Sequence, residues 1–257
     1  MAQGLPRTRF NSSRLVRVLT DLAVTDVPQS KQSFAERLGQ WLDFTDGLSL
    51  YSALNAGMAG APEVQSASPS PESATARKAF ERVRGALVDS IASDGGLGSG
   101  KSRIELPTPA PDASVENAAD FAPYHRYYLA HQRDMIANIG PLRTTVRADL
   151  SRHSPALKRL AVLDAVMDQA LTARERNLLA TVPALLARRF EHLYTAHQAT
   201  LAEAQTADDP RRWMQPGGWL AAFCREMQAV LRAELDLRLQ PIAGLIAALD
   251  QEVTRKQ

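Results

Sequence analysis

The sequence predicts an all-α protein, and three observations support that prediction. Hydrophobic residues make up 45% of the chain but aromatic residues only 6%, and Ala and Leu are frequent. β-branched residues, which favour strands, are sparse. After Asp120, apolar residues recur at spacings of three and four, the period of an amphipathic helix. We therefore expect a long antiparallel helical bundle with a small N-terminal helical head and two disordered linkers rich in Gly, Ser and Pro.

The linkers divide the chain into five segments. Two stretches, 56–73 and 94–120, cannot bury enough apolar surface to offset the entropy of ordering them, so they predict flexible linkers. The remaining segments are the head at 1–55, one amphipathic helix at 74–93 and the bundle at 121–257.

Apolar spacing and start signals predict the helices in order. The head has three, marked by Leu15, Val18, Leu19 and Leu22, then by Phe34, Leu38, Trp41 and Leu42, and then by a start at Thr45 and Asp46. Segment 74–93 repeats apolar residues at Phe80, Val83, Leu87 and Ile91. The bundle has three long helices, marked by Tyr124 to Leu150, Leu160 to Leu193 and Trp219 to Leu245. We expect a kink or interruption at Gly140 and Pro141, a bend near Pro183 and an interruption at Pro241.

Charge and cysteine content narrow the classes of function. The chain has 30 Lys and Arg against 28 Asp and Glu, a formal net charge of +2, which gives no global field that would recruit nucleic acid or an anionic membrane. Its one cysteine, Cys224, excludes an intramolecular disulfide and fits a reducing compartment. No apolar run approaches the roughly 18 residues needed to span a bilayer. We expect a cytoplasmic protein, with an Arg-rich transit peptide before Asp21 as the alternative.

One stretch matches a phosphate-binding pattern. Gly95 to Ser102, GGLGSGKS, fits G-x-x-x-x-G-K-[ST] at each required position. A working P-loop must leave a strand and enter a helix, so that backbone N–H groups and the helix dipole point at the phosphates. Helical periodicity precedes this stretch, and Pro107, Pro109 and Pro111 follow it. We therefore interpret it as a linker, with nucleotide binding as an alternative.

Candidate catalytic and metal-binding groups lack the required spacing. His125 and His131 are six residues apart, and His192 and His197 are five apart, so neither pair shares a helix face as metal ligands would. Cys224 lies on an amphipathic helix, where a buried thiol is more common than a nucleophile. We expect no metal, no cofactor and no enzymatic activity.

The head offers a second alternative, nucleic-acid binding. SFAERLGQWLDFTDGLSL begins like a helix-turn-helix, with Ala35 and Gly39 four residues apart. However, Trp41 and Leu42 continue the first helix where a turn is needed, and no basic or amide side chain follows to read bases. The Arg residues at 7, 9, 14 and 17 could contact phosphates.

Two stretches resemble a known family, and the similarity extends over most of the chain. They are SFAERLGQWLDFTDGLSLYSALN and PLRTTVRADLSRHSPALKRLAVLDAVMDQALTARERNLLATVPALLARRF. The family consists of bacterial proteins designated as a domain of unknown function, number three-three-four-eight. The resemblance implies no catalytic residues. It implies genes near those for proton-channel proteins of the MotA, TolQ and ExbB type and for OmpA-like proteins, and so an accessory role at a membrane complex.

The sequence thus favours a non-enzymatic helical interaction protein. Its partner is expected to be another protein, and the resemblance points to a membrane-complex subunit. For the partner surface we select Trp41, Tyr128, Arg143, Arg147 and Trp219, because exposed aromatic and Arg side chains most often anchor interfaces. The aromatic residues would fit a core equally well. The alternatives are a nucleic-acid-binding regulator that uses the head and a nucleotide-binding protein that uses Gly95 to Ser102.

Overall fold

A computed structural model describes residues 13–22, 34–55, 71–92, 104–110 and 114–255. Within these ranges the regular structure is helical and contains no strand, which confirms the all-α prediction. The helices are α1 (Arg14–Asp21), α2 (Phe34–Trp41), α3 (Phe44–Asn55), α4 (Pro71–Ala92), α5 (Val115–Ala118), α6 (Ala122–His153), α7 (Pro155–Leu179), α8 (Val182–Ala204) and α9 (Trp219–Arg255). A short 3-10 turn, Pro210–Arg212, lies between α8 and α9.

Helix α9 is the centre of the bundle, because α1, α4, α6, α7 and α8 all pack against it. It is apolar on more than one face, as a helix enclosed by several neighbours must be. Its apolar side chains at 0% exposure are Leu220, Phe223, Met227, Val230, Leu231, Leu235 and Ile242. The core of the bundle therefore lies around α9.

The long helices run in alternating directions. Arg143 of α6 bonds Asp168 of α7, and Gln132 bonds the Leu179 carbonyl, so α7 runs antiparallel to α6. Helix α8 continues in the same sense, since its Phe190 ring lies 5.6 Å from that of Tyr124 in the first turn of α6. Helices α7 and α8 therefore run in the same direction, one after the other, beside α6 and α9.

Of the three prolines expected to bend or interrupt a helix, one lies at a break between helices and two lie inside continuous helices. The helix predicted to bend near Pro183 instead ends at Leu179, and a new helix starts at Val182 with Pro183 in its first turn, where a missing N–H costs least. By contrast, α6 continues through Pro141 and α9 through Pro241 without a break in helix assignment. Each of these prolines adjoins a buried residue, Leu142 and Ile242 respectively, so core packing holds the chain helical there.

Part of the second predicted linker is ordered against the core. Leu106 and Ala118 are buried, and Ile104 and Val115 pack on the core cluster. Ser114 caps α5 by accepting a hydrogen bond from the Asn117 amide at 3.3 Å. The prediction of a flexible linker therefore does not hold for 104–110 and 114–120, because a few apolar side chains anchor a segment whose overall composition is polar. The first predicted linker ends earlier than expected, since α4 begins at Pro71.

The N-terminal helices pack on two different parts of the bundle. Helix α1 lies against α9, where Leu15 and Leu22 are buried, and α3 lies against α7. A reciprocal cap starts α3, because Asp43 Oδ1 accepts from the Asp46 amide at 2.7 Å and Asp46 Oδ2 accepts from the Asp43 amide at 3.2 Å. The start signal is thus Asp43 with Asp46, two residues upstream of the predicted Thr45.

The α8–α9 connection is fixed by a buried tryptophan. The Trp213 indole N–H donates to Asp208 Oδ1 at 2.7 Å, and His197 Nε2 lies 2.9 Å from the same oxygen. Burial alone would raise the pKa of Asp208, but hydrogen bonds from His197, Trp213 and Gln198 outweigh burial and hold the pKa below its ordinary value. The chain then turns so tightly that a Cβ added at Gly218 would lie 2.1 Å from the Trp213 carbonyl oxygen.

We predict that Gly218→Ala lowers the free energy of unfolding by about 1–3 kcal/mol, since the new methyl group has no space. Gly244→Ala is the control, because nothing lies within 4 Å of a Cβ at that position in α9. The control should gain up to about 1 kcal/mol from helix propensity. Urea unfolding followed by circular dichroism measures both, and a Gly218→Ala variant as stable as the control would contradict this account of the turn.

Candidate functional site

A groove opens between α6, α7 and α9 and has a volume of about 650 Å³. We call it the central groove. Its apolar lining includes Met135, Ile136 and Ile139 of α6, Leu171, Leu178 and Leu179 of α7, and Leu237 and Pro241 of α9. Gly140 also lines it, and nothing lies within 4 Å of where its Cβ would be. Helix α6 therefore places no side chain in the groove at this point.

Trp41 of α2 stands at the rim of the central groove. The Arg174 guanidinium lies over its ring, 5.5 Å from the centroid, which is a cation–π contact between α2 and α7. Of the five residues predicted for the partner surface, Trp41 is the one aromatic residue that is partly exposed and lines a cavity. Its position was not predictable from periodicity, which placed it on the apolar face of α2.

The rim of the groove carries six charged residues: Arg143, Arg174, Arg176 and Arg238 against Asp168 and Glu175. Arg143 pairs with Asp168 at 2.7 Å and Arg238 with Glu175 at 3.2 Å. Within the described ranges, no ion pair is formed by Arg174 or Arg176. The rim thus has an excess of positive charge near the C-terminal end of α7.

A fully buried carboxylate, Glu234, lies under one end of the groove. It accepts hydrogen bonds from Tyr128 Oη at 2.7 Å, Gln132 Nε2 at 3.0 Å and Arg238 Nη2 at 2.8 Å, and we call these four residues the Glu234 network. Burial and the Glu234 charge raise the pKa of Tyr128 well above its ordinary value. Periodicity alone did not indicate this role for Tyr128, although a Glu within an apolar helix is a signal that a buried partner is needed.

Four further charges connect the middle of α6 to α7. Arg143 and Arg147 bond Asp164 at 2.6 Å each and Asp168 at 2.7 and 2.8 Å, and we call them the Asp164 cluster. Burial alone would raise the pKa of Asp164, but the hydrogen bonds from Arg143 and Arg147 outweigh burial and hold the pKa below its ordinary value of 3.8. The signal for this cluster was present in the sequence, as both pairs are spaced i, i+4 on adjacent helices.

The structure separates the five predicted partner residues. Tyr128 is 0% exposed and Trp219 is 7% exposed, so both are core residues, the alternative that their chemistry left open. Arg143 and Arg147 have side chains only 15% and 17% exposed and are already paired, so they do not form a free basic face. Only Trp41 and Arg143 line the same cavity.

Four of the seven exposed large apolar side chains of the described residues lie on α3. Phe44 is 83% exposed, Leu48 52%, Tyr51 68% and Leu54 61%, and we call this set the α3 stripe. On the same helix Ala53 is buried, so α3 contacts the bundle with one side only. Periodicity could not reveal the stripe, because α3 is apolar on both sides and its sequence does not specify which side faces α7.

The alternatives from the sequence gain no structural support. Residues 95–102 lie outside the described ranges, but α4 precedes them and 104–110 contains no helix, as the flanking sequences predicted. Helix α2 continues past Gly39 to Trp41, as expected, and the Leu42 N–H still bonds the Leu38 carbonyl at 3.0 Å. Helix α3 has no Lys or Arg to contact DNA. In the described part of the chain, no three His, Cys, Asp or Glu residues form a metal-binding group, and no helix is long and apolar enough to cross a membrane.

His131, His197 and Cys224 contribute to the structure of the bundle. His131 is a core residue, and burial lowers its pKa to about 4, so it is uncharged at neutral pH. His197 belongs to the Asp208 contact described above. Cys224 is buried, as predicted.

We predict that the Asp164 cluster stabilises the fold in a pH-dependent way. Because the pKa of Asp164 is lowered on folding, its contribution is present above the ordinary value of 3.8 and is lost as the pH falls through the lowered pKa. Asp164→Asn should cost about 2 kcal/mol at neutral pH. The deficit relative to the parent protein should shrink below pH 3.8, measured by urea unfolding at several pH values.

The control for this measurement is Asp236→Asn. Asp236 forms an exposed ion pair with Arg14, and their side chains are 32% and 56% exposed, respectively. It should cost less than about 1 kcal/mol. An Asp164→Asn deficit that stays constant from neutral pH to below pH 3 would contradict the account of the cluster.

Comparison with known proteins identifies the family. A family model described as "Protein of unknown function (DUF3348)" matches residues 1–251, and so spans the described helices up to the last turn of α9. No curated protein and no solved structure matches the chain. The match includes both stretches that resembled this family in the sequence. The chain therefore belongs to the DUF3348 family of proteins of unknown function.

Proposed function

We propose that this chain is a non-enzymatic, cytoplasmic interaction protein that binds a subunit of a membrane-associated complex through the α3 stripe. The observation that carries the proposal is the exposure of Phe44, Leu48, Tyr51 and Leu54 on one short helix. Each such side chain gains about 1.5–3 kcal/mol when it is removed from water. A stripe of this kind therefore favours a partner that covers it.

Charge favours a protein partner over a lipid surface. Helix α3 contains no Lys or Arg. Two acidic residues lie at its start, the capping residue Asp43 and Asp46 in the first turn. Anionic headgroups attract basic segments, so this surface would be repelled by an anionic leaflet. The complementary partner is an apolar helix face bordered by basic residues.

The chemistry of the buried groups supports a non-enzymatic role. Glu234 and Asp164 accept hydrogen bonds from several donors, and these bonds hold helices together. Cys224 is 3% exposed, which leaves its thiol without access to a substrate. The family resemblance supports the choice of a membrane-associated complex as the partner assembly.

We predict site-specific crosslinking from the stripe. The photoreactive residue p-benzoylphenylalanine replaces Tyr51 in one strain and Arg188, on the exposed side of α8, in another. Irradiation of intact cells should give one dominant adduct from position 51, containing a membrane-complex subunit, and none from position 188. The adduct should be reduced at least about tenfold by Leu48→Asp, since a buried charge costs more than 1.4 kcal/mol.

The control variant is Val162→Asp, at a 42% exposed apolar position outside the stripe, which should leave the adduct unchanged. Both exposed substitutions should change the free energy of unfolding by no more than about 0.5 kcal/mol. Equal crosslinking from both positions would refute a specific surface. An adduct made only of two copies of this chain would show self-association and would refute the accessory role.

A further inference from the structure

We infer that the central groove binds an elongated apolar molecule with one anionic end, of the class of a single-chain fatty carboxylate. The groove is distinct from the α3 stripe, and its occupancy does not depend on the proposed protein partner.

The shape fits a narrow ligand. The lining runs from Gln132 to Arg143 on α6 and from Asp168 to Leu179 on α7, which corresponds to roughly 16–17 Å at 1.5 Å per residue. A volume of about 650 Å³ lies in the range of small-molecule sites. The length and the volume of the groove therefore suit an extended small molecule.

The lining fits an apolar chain. Met135 and Ile139 line the groove and are buried. Ile136 of α6 and Leu178 of α7 also line it and are 54% and 53% exposed. Of the exposed large apolar side chains in the described part of the chain, these two line the groove. A hydrocarbon chain between them would remove both from water.

The charge at the rim fits an anionic end. Arg143 and Arg238 are neutralised by Asp168 and Glu175, so the charge excess comes from the two remaining lining arginines. Arg174 is held by the Trp41 ring, which orients its guanidinium at the rim. Arg176 forms no ion pair within the described ranges. Guanidinium groups bind carboxylates with two parallel hydrogen bonds, so this end of the groove suits a single carboxylate.

Dodecanoate is the probe that tests this inference on the full-length purified protein. Isothermal titration should show saturable binding of about one dodecanoate per chain at concentrations well below those at which it forms micelles. Dodecan-1-ol, with the same chain and no charge, should bind at least about tenfold more weakly, as expected for the loss of a charge-assisted hydrogen bond. Tryptophan fluorescence should change on binding, and most of that change should be lost in Trp41→Phe.

Matched variants locate the site. Ile136→Glu and the double variant Arg174→Gln with Arg176→Gln should each raise the dodecanoate dissociation constant about tenfold or more. The controls Val162→Glu and Arg188→Gln make comparable changes at an exposed apolar position and an exposed Arg outside the groove, and should leave the dissociation constant within about twofold. Leu48→Asp should also leave it unchanged, which separates this inference from the proposed protein interaction.

Folding is checked in the same samples by thermal unfolding, since a ligand that binds the folded state raises its melting temperature. Dodecanoate should raise that temperature in the parent and control variants and raise it less in the groove variants. Absence of saturable binding, equal binding of the alcohol, or equal loss in groove and control variants would overturn the inference. A protein adduct formed from p-benzoylphenylalanine at Ile136 would also overturn it and assign the groove to a partner chain.

Discussion

The arrangement of the bundle depends on one buried charge. Glu234 is completely inside the protein, where an unpaired carboxylate would cost several kcal/mol. Tyr128 and Gln132 reach it from α6 and Arg238 reaches it from the next turn of α9. Apolar contacts alone would tolerate several rotations of α6 against α9, but these hydrogen bonds are satisfied in one. Asp236, two residues along the same helix, makes only an exposed pair and imposes no such constraint.

The same network also determines where the central groove lies. Gln132 bonds the last carbonyl of α7, at Leu179, and Arg238 reaches Glu175 of α7. The Asp164 cluster holds α7 against α6 further along. Polar contacts therefore fix α7 near both ends of the groove, and apolar side chains such as Ile139, Leu171 and Leu178 line the space between them. The groove lies between these two anchors, and Gly140 places no side chain in it.

The sequence predicted where the helices lie, but it did not predict which side of each helix is buried. Periods of three and four identify α1, α4, α6 and α9, because burial of one stripe is a local property of the pattern. Which stripe of a helix is buried depends on its packing partners and not on the local pattern. Tyr128 and Trp219 could therefore not be distinguished from surface aromatic residues, and the α3 stripe was not predicted. The Asp164 cluster was within reach of the sequence, since Arg143 and Arg147 face acids with the same spacing. Pro141 and Pro241 remain inside helices because long-range packing outweighs a local preference.

The most direct test of the central claim is a double-mutant cycle on the Glu234 network. Tyr128→Phe, Glu234→Gln and the double variant are compared with the parent by urea unfolding. If the network holds α6 against α9, the effects are not additive, and the coupling free energy between the two positions is about 1–3 kcal/mol. Additive effects, with a coupling below about 0.3 kcal/mol, would show that the two side chains do not interact and would contradict this account of the fold.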